Sequence, residues 1–104
     1  MTATFITTSS VVAGTAHVFA ADGDTFYLQQ GILWGSGSGN LFSVNFLNDL
    51  SIVLAGDAVQ TDNTFLAGAR IDITITKTGS VTNFDKNSNQ ATFEIGGANS
   101  SIIN

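Results

Sequence analysis

Ile71-Asp72-Ile73-Thr74-Ile75 is echoed by Ala91-Thr92-Phe93-Glu94-Ile95, and a shift of 22 positions lays Ile71 on Phe93, Asp72 on Glu94 and Ile73 on Ile95. The same shift lays Val59 on Val81. A repeat of this length is what a coiled stack of β-strands produces, with each turn of chain resting on the one before. Towards the N-terminus the match loosens: Leu50 and Ile52 lie 21 positions before Ile71 and Ile73, and Leu28 lies 22 before Leu50. At the other end, Ile102 lies 21 after Val81 and Asn104 lies 21 after Asn83.

Strand signals rich in Val, Ile, Phe and Thr run along the whole chain. They fall at Ala3–Ser9, Ala16–Ala20, Thr25–Trp34, Asn40–Phe46, Leu50–Leu54, Arg70–Lys77 and Gln90–Ile95. From Arg70 to Lys77 the alternation is strict, with Ile71, Ile73 and Ile75 on one face and Asp72, Thr74 and Thr76 on the other. Thr25–Trp34 is more continuously apolar, which suits either burial on both faces or a bend at Gly31. Turn residues separate the runs, and Gly35-Ser-Gly-Ser-Gly-Asn40 is expected to be a loop tip within one domain spanning 1–104. No segment has a capped apolar pattern at helical spacing. The expected fold is therefore all-β, a parallel β-helix or solenoid with rungs of about 22 residues. The alternative is an antiparallel β-sandwich or jelly roll, because Ile- and Val-rich strands of any kind produce similar coincidences.

Charge narrows the function classes. Only 11% of the residues are charged and the net charge is −5, so no basic patch exists to displace counterions from nucleic acid or to hold an anionic membrane. The absence of cysteine excludes disulfides and thiolate metal sites. No apolar run reaches the length of a membrane span. The N-terminus shows no basic segment followed by an apolar stretch, so no signal peptide is visible and export would use another route.

Lys77-Thr-Gly-Ser-Val-Thr-Asn83 and Gly97-Ala-Asn-Ser-Ser-Ile-Ile-Asn104 resemble the Gly, Ile/Val and Asn pattern of right-handed parallel β-helix proteins. Such regions occur in large secreted bacterial adhesins and in RTX-type repeat proteins exported without an N-terminal signal. The resemblance covers roughly residues 50–104 and implies an extracellular or cell-surface location. The chain departs from the RTX pattern in lacking the Gly-Gly-x-Gly-x-Asp nonapeptide, so no calcium-roll ligand carries over to any residue here.

The candidate site residues follow from the rung alignment. In a parallel coil, Asp72 and Glu94 would be neighbours about 4.8 Å apart. Two adjacent carboxylates repel, and Ca2+ would be a natural counter-ion because it takes several oxygen ligands. The plainer reading is two solvated acids eased by Arg70 or Lys77. Asp22-Gly-Asp24 reads as a turn before a calcium pair. Asp85-Lys-Asn-Ser-Asn89 has the start of a calcium loop but lacks its required Gly and Glu, where Gln90 and Gly96 stand. His17 is the single histidine, has no orienting acid in sequence, and reads as structural. No nucleophile elbow or phosphate loop is present, and nothing selects a glycosidase carboxylate pair. Tyr27 and Trp34 are the candidate contacts for a sugar ring or a protein partner, against the alternative of a place in the core.

The expectation is a non-enzymatic structural β module of a secreted or cell-surface bacterial protein, forming homo-oligomers or a larger β-rich surface assembly. Its low charge and lack of proline ease edge-to-edge association. The alternative is a small β-sandwich carbohydrate-binding module, with or without calcium.

Overall fold

Thr25 pairs with Ala3 on one side and with Ser51 on the other, and every strand pair among the described residues is parallel. The computed structural model describes residues 3–44, 46–61, 64–66, 68, 70–83, 93–95 and 100–103, with 64–66, 83 and 93–95 described by backbone alone. Among these there is no helix. The chain is a three-sided β-solenoid, as the repeat implied, and the antiparallel sandwich is excluded.

Side 1 stacks β1 (Ala3–Ile6), β4 (Thr25–Leu28), β7 (Ser51–Leu54), β10 (Asp72–Ile75) and β13 (Ser101–Ile103) in that order. Side 2 stacks β2 (Ser10–Val12), β5 (Leu33–Ser36), β8 (Asp57–Gln60) and β11 (Ser80–Asn83). Side 3 is made of β3 (His17–Val18) with β6 (Phe42–Ser43), and β9 (Thr64–Leu66) with β12 (Phe93–Ile95). β6 and β9 lie side by side. A rung is thus one pass over the three sides, β1–β2–β3 being the first.

Strand alternation sends every second side chain into the coil. On side 1 the inward residues Phe26, Leu28, Ile52, Leu54 and Ile73 are buried, while Thr25, Ser51 and Asp72 are exposed. The second rung fills its interior with rings. Phe26 lies 4.8 Å from Trp34 and 5.0 Å from Phe42, centroid to centroid, and Phe19 lies 5.6 Å from Phe42. The third and fourth rungs fill the same space with Ile52, Leu54, Ala58 and Ile73. Trp34 faces Ala58 across the ladder, so a large residue stacks on a small one. Polar side chains are buried here too: Gln60 Oε1 accepts the Leu41 N–H at 3.2 Å, and the Ser36 hydroxyl donates to the Gly14 carbonyl.

The corner before side 1 has its own backbone rule. Gly23 (φ 80°), Asp49 (φ 62°) and Arg70 (φ 56°) each sit two residues before the paired positions Thr25, Ser51 and Asp72. All three are left-handed, a conformation that glycine adopts freely and Arg adopts at a cost. The corner is stitched across rungs: Gly23 N–H donates to the Asn48 carbonyl at 3.0 Å and Asn48 N–H to Asp22 Oδ1 at 2.9 Å. Gly35 is a different requirement. Its φ is 152°, and a Cβ there would stand 1.9 Å from the Val59 carbonyl oxygen, so the next rung can approach only because the side chain is missing.

The expected period needs correcting. Along side 1 the step is 22 residues from Ala3 to Thr25, 26 to Ser51, 21 to Asp72 and 29 to Ser101. The 21-residue match of Ile52 with Ile73 is the true register. Val59, however, stands beside Thr82 and not Val81, and Leu28 beside Leu54 and not Leu50. A slip of one residue exchanges the inner and outer faces, so the difference matters. Ile102 stacks on Ile73 and not on Val81. The opening echo is the largest departure: β10 and β12 are sides 1 and 3 of one rung, not the same side of successive rungs. Both sides alternate apolar and polar residues, so their sequences look alike without pairing.

Candidate functional site

Asp72 and Glu94 are not neighbours. Asp72 has Ser51 and Ser101 as its ladder partners, whereas Glu94 pairs with Phe65 on another side of the coil. The adjacency that suggested a bound cation is therefore absent. What meets the outward acids is the next rung's hydroxyl or guanidinium. Ser101 Oγ donates to Asp72 Oδ1 at 2.7 Å, and Ser80 Oγ donates to Asp57 Oδ1 at 2.8 Å. Arg70 holds Asp49 with two bonds, Nε to Oδ1 and Nη2 to Oδ2 at 3.1 Å. This pairing keeps the Asp49 carboxyl below its usual range and raises the guanidinium of Arg70. Among the described residues, no three His, Cys, Asp or Glu side chains cluster to hold a metal.

Asp22-Gly-Asp24 is the turn it was read as. Asp24 Oδ2 accepts the N–H groups of Ala20 and Ala21 at 3.3 and 3.1 Å, and Asp22 takes the Asn48 N–H. The Asp85–Asn89 stretch lies outside the described residues. His17 is half-buried at the end of the aromatic core, 4.7 Å edge-on from Phe19 and 4.9 Å from Phe26. Burial pushes its pKa down, against a smaller upward pull from Asp24.

The two candidate contact aromatics part company. Trp34 points inward and is 3% exposed, so it is core and cannot touch a ligand on the surface. Tyr27 points outward from β4 and is 38% exposed. Its ladder partner Phe5 is 66% exposed, with the two rings 6.1 Å apart and tilted by 52°. Phe5 was not singled out from sequence, because its phase becomes visible only once the register Phe5–Tyr27 is known.

The surface feature that sequence reading missed is the first rung as a whole. Its outward positions Phe5, Val11 and Val18 are all apolar and exposed, one on each side of the coil. Of its inward positions, Thr4, Ser10 and His17 are polar or titratable, whereas Ile6, Val12 and Phe19 are apolar. A signal was there to be read: no Asp, Glu, Lys or Arg occurs before Asp22. No protein-family model matches this chain, and no curated protein or solved structure does either.

Proposed function

We propose that this chain is a non-enzymatic structural module that works by self-association, within a secreted or cell-surface bacterial protein. One observation carries the reading. Among the described residues, the strands that end side 1, Ala3–Ile6 and Ser101–Ile103, each have a ladder neighbour on one side only, and neither contains a charged residue or proline. Natural sheets block such edges with lysine, proline or bulges to prevent pairing with another chain. Sedimentation over a concentration series tests the reading: the weight-average mass should rise with concentration, and a monomer at every concentration would defeat it.

The exposed Phe5–Tyr27 pair favours a second reading, a carbohydrate platform. Two rings beside the Thr25–Ser51 hydroxyl column offer an apolar face and a polar edge, the combination a sugar ring needs. Soluble glucans should then quench or shift Tyr27 fluorescence in a Trp34→Phe background, and Phe5→Ala should abolish the response. Neither reading requires calcium, since Asp57 and Asp72 have hydroxyl partners and Asp49 has Arg70.

A further inference from the structure

The first rung stands at one end of the coil and differs from the others in its side chains. Among the described strands, β1, β2 and β3 each have a neighbour on one side only, as β13, β11 and β12 do at the other end. Phe5, Val11 and Val18 are 66%, 51% and 56% exposed and form an apolar collar round that end. Among the described residues, each has a ladder neighbour on one flank only, Tyr27, Gly35 and Ser43 respectively. All 8 acidic and 3 basic residues of the chain follow position 21.

We propose that this first-rung end is the surface on which a second copy of the chain docks, end to end and head to head. The proposal rests on the self-association reading and names the surface it uses. Charge selects the geometry. Each copy carries −5, and joining the uncharged ends places the two charged bodies as far apart as the coil allows. A head-to-tail stack would instead set each charge-free end against the charged body of the next copy and would grow without closing.

A two-fold axis through the middle of side 1 runs β1 antiparallel to its own copy and lays β2 of one protomer over β3 of the other. Backbone N–H and C=O groups at the edges then find partners, and the collar side chains gain their missing flank. The contact involves one rung of each copy, well short of the about 20–30 residues a side of a standard interface, at roughly 800 Å2 per partner, so the dimer is a weak one.

The test is sedimentation equilibrium from about 10 μM to about 1 mM, the range a small interface implies. The wild-type chain should approach a dimer and stop there. Val11→Lys and Val18→Lys, both at exposed positions, should each weaken it at least about tenfold, whereas Ile103→Lys at the other end of side 1 should leave it unchanged. Buried Trp34 emission confirms that each variant is folded, and either first-rung lysine suffices if the other fails to fold. Should neither fold, a nitroxide on Ser10→Cys reports the same contact. Its spectrum should broaden in the dimer, while a label on Ile103→Cys should not.

A wild-type dimer broken by Ile103→Lys and not by the first-rung lysines would overturn this surface and leave self-association standing. Species growing beyond a dimer would overturn the head-to-head geometry. A monomer at all concentrations would overturn both.

Discussion

In the first rung Thr4, Ser10 and His17 hold three of the inward positions, with Ile6, Val12 and Phe19 at the others, and Phe5, Val11 and Val18 point outward. One rung later, the residues stacked directly on the first and last of these trios are Phe26, Trp34 and Phe42 inside, and Tyr27, Gly35 and Ser43 outside. The register is continuous, yet these three inward positions change from polar or titratable to aromatic. A ring at an inner position gains most where rungs cover it above and below, because the hydrophobic gain follows the area removed from water. The second rung has that cover, and its three inward rings are at most 3% exposed. The first rung has cover on one side, so a hydroxyl or an imidazole there keeps access to water.

The sharpest way to break this comparison is to truncate matched residues. Phe26→Ala should cost about 3–5 kcal/mol in denaturant unfolding, read through CD and the single buried Trp34. Phe5→Ala, its neighbour on the outer face of the first rung, should stay within about 1 kcal/mol. Equal losses would mean that the first rung is as deeply packed as the second. Gln60→Leu should cost about 1–3 kcal/mol, because the buried Leu41 N–H would lose the side-chain oxygen it now donates to.

A smaller effect is expected at His17, the imidazole at the boundary between the two rungs. Its folded pKa is lowered from 6.5, chiefly by burial. The unfolded chain therefore takes up a proton first as the pH falls. Stability should be unaffected above about pH 6.5 and decline below it, towards the folded pKa. His17→Gln should flatten the melting temperature between pH 7 and pH 5, about the window in which an imidazole titrates. A wild-type melt that rises on acidification would contradict the sign. The least change is expected at Arg70→Gly. It removes an exposed ion pair but relieves a left-handed Arg, so the melt should scarcely move and its salt dependence should shrink.

The solenoid was legible because each rung must bury the same face, which writes apolar alternation into the chain at a recurring interval. Ile52 and Ile73 show it directly. The bend at Gly31, with φ of 84°, was also legible, since glycine splits an otherwise continuous run into β4 and β5. Ser80–Asn83, within the Lys77–Asn83 stretch that resembled β-helix repeats, forms a further strand, β11. Other elements were hidden. β8, Asp57–Gln60, faces the core with Ala58 and Gln60, neither a strong strand signal. Gly35 and Ser36 read as the start of a loop, yet they end β5, with Ser36 buried.

The candidate site suffered most from register. Assigning Asp72 to Glu94 took two sides of one rung for one side of two rungs. Alternation alone cannot separate those cases, because every side carries it. Trp34 was misplaced for a related reason: its position beside a Gly-Ser segment suggested a surface, whereas its phase in β5 sends it inward.

The left-handed corner at Gly23, Asp49 and Arg70 bears on how such a chain tolerates change. Successive circuits differ by as much as 8 residues, from 21 to 29, yet each returns to side 1 in phase. Errors in circuit length therefore do not accumulate along the coil. An insertion between two corners is absorbed locally as a bulging loop, and the next strand is set down where it would have been. That makes the circuit, not the residue, the unit in which this architecture can lengthen or diversify.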